Sequence, residues 1–270
     1  MANGLLKGKK GIIFGALDEK SIAWKTAIRC FEEGALIMLT NAPVAMRMGE
    51  INKLAEQVNA PVVACDVSNS EDVEKLVDEA MKHFGGSFDF ILHSIGMSLN
   101  VRKGKHYTEI DYGFNSKTLD ISAMSLHRVL ATCMKKDALN EWGSVVALTY
   151  IAAQRVFPDY NEMADAKALL ESVTRSFGYH YGIKKHVRVN TISQSPTRTT
   201  AGSGVKGFDG FISYADKMSP LGNASAEDCA GYVVSLFSDL TRMVTMQNLF
   251  HDGGFSFTGV TQAVIEQMEK

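Results

Sequence analysis

The sequence predicts a doubly wound α/β fold, a parallel β-sheet covered by helices on both faces. Short apolar runs alternate with longer helical patterns about six times, as repeated strand–helix units do. The runs are continuous, as in Gly-Ile-Ile-Phe at 11–14 and Ser-Val-Val-Ala-Leu at 144–148. Strands without polar alternation belong to sheets buried on both faces. No Pro/Gly/Ser-rich linker and no internal repeat divides the chain, so residues 1–270 read as one domain of about seven strands.

A first strand at 11–14 leads through a glycine turn to a helix at 21–33. Strand two (35–40) precedes a helix that includes 52–58. Strand three (61–64) precedes a helix at 70–84, for which Ser70 is the expected cap. Strand four (88–93) is followed by a helix at 121–134, and strand five (144–149) by a long helix at 160–181. Strand six (187–193), a helix at 226–240 and a short strand at 248–251 complete the series. Between them, 198–220 opens with three glycines in the six positions from Gly202 to Gly207, which weakens any helix there. That segment reads either as a surface loop or as a substrate lid, since it follows a strand's carboxyl end.

The composition belongs to a soluble globular enzyme or binding domain. With 28 basic and 30 acidic residues the net charge is −2, which argues against a general nucleic-acid binder. No stretch has the roughly 18 unbroken apolar residues of a membrane span. The apolar run at 11–17 ends in Asp18, Glu19 and Lys20 and not in a cleavage site. Cys30, Cys65, Cys133 and Cys229 are too far apart in sequence for a metal or redox pair, and the seven histidines are scattered. No metal and no membrane partner is expected, and a reducing cytoplasm is the expected compartment.

Several positions suggest a dinucleotide site at the sheet's carboxyl edge. Strand one runs into Gly15 and then Ser21 and Ile22 at a helix amino terminus, where free N–H groups and the helix dipole suit a pyrophosphate. The G-x-G-x-x-G fingerprint is absent. Asp66-Val67 follows strand three, either to meet an adenine or to cap a turn. Ser94-Ile95-Gly96 follows strand four, either to admit a cofactor or to bend the chain. Tyr160 and Lys167 are seven apart, about two helical turns or ~10 Å, so a phenol and an ammonium can share one helix face. The lysine would lower the tyrosine pKa and help its hydroxyl donate to an oxyanion. On spacing alone, a buried tyrosine and a surface lysine is the simpler reading. A G-x-S-x-G elbow is absent, which argues against a serine hydrolase.

Taken together, from about Leu6 to Phe257, the chain resembles the short-chain dehydrogenase/reductase superfamily, and within it the enoyl-acyl-carrier-protein reductases. The markers are Gly15-x5-Ser21-x-Ala23, Asp66-Val67, Ser94-Ile95-Gly96, the Tyr150/Tyr160/Lys167 set, Ser195 to Thr199, and His251 to Phe255. Ordinary superfamily members use Tyr-x3-Lys, so Tyr-x6-Lys is the most telling of these. The resemblance implies a Rossmann-type fold and reduction of a trans-2-enoyl thioester carried on acyl carrier protein, by a homotetramer. It implies Tyr160 as donor to the enolate oxygen, Lys167 on the nicotinamide ribose and Tyr150 in the substrate pocket. Cofactor contacts would come from Gly15, Ser21, Ile22, Ala42, Asp66, Val67, Ser94, Ile95, Gly96, Thr197, Arg198 and Thr199. Ser98, Met163 and Phe208 would join Tyr150 against the substrate.

Three departures stand out. Gln194-Ser195 replaces the family's usual Ala-Gly before Pro196, and Lys206 is followed by Gly207-Phe208-Asp209-Gly210 where more basic residues are usual. Strand two ends Asn41-Ala42-Pro43, with neither a carboxylate for NADH nor a cation for NADPH. The resemblance implies NADH, with NADPH left open by the residues. Another short-chain reductase or dehydrogenase acting on a ketone or alcohol, or a non-catalytic dinucleotide sensor, also stays open.

Overall fold

In the computed structural model, residues 3–47, 50–200, 202 and 207–269 are described. The elements are, in chain order, β1 (Lys10–Phe14), α1 (Ile22–Glu32), β2 (Leu36–Asn41), α2 (Pro43–Met46), α3 (Glu50–Gln57), β3 (Val62–Ala64) and α4 (Ser70–Phe84). Next come β4 (Phe88–His93), α5 (Leu99–Arg102), α6 (Tyr112–Leu119), a π-helical turn (Asp120–Met124), α7 (Ser125–Lys135), β5 (Leu139–Thr149) and α8 (Glu162–Lys185). The chain closes with β6 (Arg188–Gln194), α9 (Phe208–Met218), α10 (Ala226–Phe237), β7 (Asn248–His251) and α11 (Gln262–Met268).

All seven strands are parallel, in the order β3-β2-β1-β4-β5-β6-β7. The chain starts in the middle, winds outward to β3, then crosses back to lay β4 beside β1. The carboxyl ends of β1 and β4 therefore flank the switch point, where open α/β sheets bind ligands. Register aligns Phe14 with both Thr40 and His93, Thr149 with Ser193, and Gln194 with His251.

Strand side chains alternate between two cores. Ile12, Phe14, Ile91, Val145 and Ala147 face α4, α7 and α8, whereas Ile13, Phe90, Leu92, Val146 and Leu148 face α1, α3 and α10. Each such aliphatic or phenyl side chain contributes on the order of 1.5–3 kcal/mol on burial. Helices on both faces account for the unbroken apolar runs at 11–14, 90–92 and 145–148.

Helix ends differ from the sequence reading at informative places. Asn69, not Ser70, caps α4, accepting from the N–H of Glu71 at 2.8 Å. It stands one residue earlier with an extended backbone, which suits a cap. The long helix begins at Glu162, because Asp159 and Asn161 both adopt positive φ (63° and 46°) and turn the chain on either side of Tyr160. Within 198–220 the glycines precede a helix, and α9 starts directly after Gly207. One continuous helix from Tyr112 to Lys135, widened by the π turn, replaces the expected 121–134.

Candidate active site

The first wall of the site is the turn after β1. Gly15 has φ +90°, and a Cβ built on it would lie 1.9 Å from the carbonyl oxygen of Ser94, so the turns after β1 and β4 touch through backbone alone. Ser21 caps α1, accepting from the N–H of Trp24 at 3.3 Å while its hydroxyl donates to the Asp18 carbonyl at 2.7 Å. Ile22 opens that helix. Asn41, which sequence reasoning missed as a site residue, donates its amide to the Ala16 carbonyl (2.9 Å) and accepts from the N–H of Ala42 (2.8 Å). It ties the end of β2 to the glycine turn.

Asp66 is exposed beyond β3, its Oδ1 accepting from the hydroxyl (2.7 Å) and N–H (2.9 Å) of Ser68. The Ser68 bonds hold its carboxyl below the usual range. Val67 is buried, and its carbonyl accepts from Arg128 at 2.5 Å. After β4, Ile95 packs on the core and Gly96 is exposed. The Nζ of Lys167 and the Cε of Met163 each lie 3.8 Å from where a Gly96 Cβ would be.

Lys167 is buried and donates to the Leu148 carbonyl at 2.8 Å. Burial pushes its ammonium down to about 8, with Glu171 pulling the other way. Beneath it on β4, His93 is fully buried and held neutral, its pKa driven to about 3 by desolvation and by Lys167.

Tyr150 and Tyr160 meet with ring centroids 5.3 Å apart. Phe157 and Phe211 also contact the Tyr150 ring, at 5.4 and 6.3 Å between centroids. Burial pushes both phenols up. This corrects the expectation that Lys167 would lower Tyr160: the apolar surroundings dominate. The Tyr150 hydroxyl is buried and has no hydrogen-bond partner among the described residues.

Two residues expected on the substrate side make other contacts in this structure. The hydroxyl of Ser98 is spent inside the protein, donating to Glu162 Oε1 at 2.5 Å and accepting from the N–H of Val101 at 3.1 Å. Phe208 does not join the Tyr150 cluster. It lines a cavity of about 480 Å³ with Lys20, Arg198, Thr199 and Asp209, and Phe211, one turn further along α9, faces Tyr150 instead. The phase of α9, set by where Gly207 ends the glycine run, decides between the two. Arg198 pairs with Asp209, and Lys206 lies outside the described residues.

The departure at Gln194 is built into a network. His251 Nδ1 stands 2.7 Å from Gln194 Oε1, and Gln194 Nε2 donates to Thr197 Oγ1 (3.3 Å) and to the Ala224 carbonyl (3.1 Å). Thr197 in turn donates to the Ser195 carbonyl at 2.9 Å. The ends of β6 and β7 are thereby fastened to the loop that carries Thr197, Arg198 and Thr199. Among the described residues, no group of three His, Cys, Asp or Glu side chains could hold a metal ion.

Several known proteins resemble this chain in sequence and architecture. The family described as "Enoyl-(Acyl carrier protein) reductase" matches residues 15–256. An enoyl-[acyl-carrier-protein] reductase [NADH] 2 of Rhizobium meliloti is 35% identical over 96% of this chain and 95% of its own. The enoyl-[acyl-carrier-protein] reductase [NADH] FabI of Rickettsia bellii is 35% identical over 98% of this chain and its own full length. The crystal structure of a FabI–NADH complex from Alistipes finegoldii superposes with a TM-score of 0.95 at 65% identity, covering 96% of this chain and 91% of that one. On sequence and fold, the chain belongs to the enoyl-(acyl carrier protein) reductase family.

Proposed function

We propose that this protein reduces trans-2-enoyl-acyl-carrier-protein thioesters to saturated acyl thioesters with NADH, the reductive step that closes a round of fatty-acid elongation. The observation that carries the reading is one juxtaposition at the sheet's switch point: Lys167 buried behind an open Gly96, with Tyr150 and Tyr160 paired beside it. The residues fit a nicotinamide dinucleotide. Gly15 and Gly96 keep the crevice free of side chains, and the end of β2 presents Ala42 with no cation to meet a 2′-phosphate.

Bound NADH would supply the hydride for the β-carbon of the enoyl group, with a proton from solvent completing the reduction at the α-carbon. The protein's part is to position and stabilise. Lys167 commits one of its three N–H donors to Leu148, leaving two for the ribose hydroxyls. Tyr160, its hydroxyl kept protonated by burial, donates to the enolate oxygen. Tyr150, Phe157 and Phe211 form an apolar wall that excludes water from the acyl chain. Thr197, Arg198 and Thr199 reach the nicotinamide and phosphates from the loop that Gln194 fixes. Asp66 and Val67 receive the adenine.

The carrier protein docks beside the cavity lined by Lys20 and Arg198, where Lys20 offers a cation to an acidic partner and Arg198 is paired with Asp209. The homotetramer is supported by exposed apolar side chains near the carboxyl terminus, Phe257 and Met268 being 80% and 82% exposed. The cytoplasm is supported by four free cysteines, and among the described residues no helix is long and apolar enough to cross a membrane.

Purified protein is expected to oxidise NADH when given crotonyl-CoA or a crotonyl carrier protein. Tyr160→Phe should lower kcat by about 10²–10³, the loss typical of one oxyanion donor, while NADH affinity stays unchanged. Absence of NADH oxidation with both thioesters refutes the reading.

A further inference from the structure

One turn along α8 from Lys167 lies a buried carboxylate that the proposed reaction does not use. Glu171 is 6% exposed. Its Oε1 accepts from Thr149 Oγ1 at 3.0 Å and from Asn248 Nδ2 at 3.1 Å, and its Oε2 accepts from Gln154 Nε2 at 3.2 Å. Thr149 and Gln154 flank the segment formed by Tyr150 and the 3₁₀ turn Ile151–Ala153. One carboxylate thus grips both ends of the Tyr150 turn, the strand β7 and the Lys167 helix. A leucine there would fill the same face of α8 without burying a charge. What the carboxylate adds is three directed bonds and, in its ionised form, one negative charge, burial pushing its own pKa up while the Gln154 and Thr149 bonds pull it down.

We propose that Glu171 is a positioning residue of the reductase site, locking the Tyr150 turn onto the Lys167 helix and supplying the charge that keeps the Lys167 head cationic. The inference rests on the enoyl-thioester reading given above. Burial lowers the Lys167 amine to about 8, and Glu171 opposes that fall. The other titratable groups around the pair are His93 below, held neutral by burial, the two tyrosines, whose phenols burial keeps protonated, and Arg175, which acts on Glu171 from the next turn of α8. Removing the Glu171 charge therefore lets Lys167 lose its proton at lower pH, and its grip on the ribose goes with it.

The test is NADH binding by fluorescence titration from pH 6.5 to 9.5 in the full chain. In Glu171→Gln the alkaline loss of affinity should begin about half a pH unit lower. At pH 8.5 the Kd then rises about threefold over wild type, the factor half a unit represents, while at pH 6.5 the two proteins agree within about twofold. Gln154→Ala, at an exposed residue, tests the brace without touching the charge and stands in if Glu171→Gln does not fold. Turnover of crotonyl-CoA should drop about fivefold, the effect of losing one hydrogen bond of typical strength, with the NADH Kd unchanged. An unshifted alkaline limb in Glu171→Gln, or unchanged turnover in Gln154→Ala, overturns the inference. A wild-type protein that binds NADH but never turns over crotonyl-CoA refutes the enoyl reading instead, and the binding profiles then decide the charge role alone.

Discussion

Gly15 and Gly96 flank the same crevice, yet alanine should act on them in opposite ways. At Gly96 the added methyl meets Lys167 Nζ and Met163 Cε at 3.8 Å, ordinary contact distances, and φ lies outside the left-handed region. The free protein accepts it without strain and gains about 0.4–1 kcal/mol from a stiffer unfolded chain, or about 1–4 °C in Tm. That methyl nonetheless projects into the space where NADH is proposed to pass. Overpacking costs about 1–3 kcal/mol, which weakens NADH binding by about 5–150-fold. At Gly15 the methyl would lie 1.9 Å from a backbone oxygen with φ at +90°. Left-handed strain of about 1–2 kcal/mol adds to the overpacking, so the melting temperature itself should fall by about 5–15 °C. Thermal melts and NADH titrations of the two variants separate the roles. A Gly96→Ala protein that binds NADH like wild type would refute the placement of the cofactor, and a Gly15→Ala protein that melts like wild type would refute the close approach.

Two further outcomes follow from buried polar groups. His93 titrates near 3 in the fold against an ordinary 6.5, so the unfolded chain takes up the proton first. Its contribution to stability is fully present above pH 6.5 and is lost as pH falls toward 3, at up to about 1.4 kcal/mol per pH unit. His93→Asn should flatten that slope in denaturant melts between pH 6.5 and 4, and an unchanged slope contradicts the burial argument. Gln194→Leu should strand His251 Nδ1 and the Ala224 carbonyl, costing about 2–3 kcal/mol, and should weaken NADH binding as the Thr197 loop loosens. Equal NADH affinity in that variant would show the loop holding itself.

The sheet was legible because burial on both faces leaves an apolar run in β1, β4 and β5, and the turn residues after strands one, three and four fall where the register puts them. Tyr160 was harder to place. Helical spacing put it on α8, but Asp159 and Asn161, residue types that tolerate left-handed backbone, turn the chain around it. Their positions on either side of Tyr160, after Pro158, were the available signal. Phe211 was hidden because the phase of a helix depends on its first residue, and a run of glycines blurs where that lies. Glu171 and Glu162 carried no local signal, and Gln194 showed only as a departure from the family pattern. Their partners come from other elements, with Ser98 and Thr118 both donating to Glu162 across the fold, and only tertiary structure brings such sets together.

The π turn at Asp120–Met124 has a consequence for chain length. Its Ser122 accepts from the N–H of Met97 at 3.0 Å and donates to the Met97 carbonyl at 3.2 Å. Downstream, Leu126, Val129, Leu130 and Cys133 of α7 fill the core. A wide turn holds one residue more than an α-turn. Deleting one residue from 120–124 would close the wide turn to an α-turn, keeping the α7 stripe in phase with α6 while removing the bulge that carries Ser122 to Met97. The extra residue therefore serves the loop beside Gly96 and not the core, and its loss should cost the Met97 contact while the packing of α7 survives.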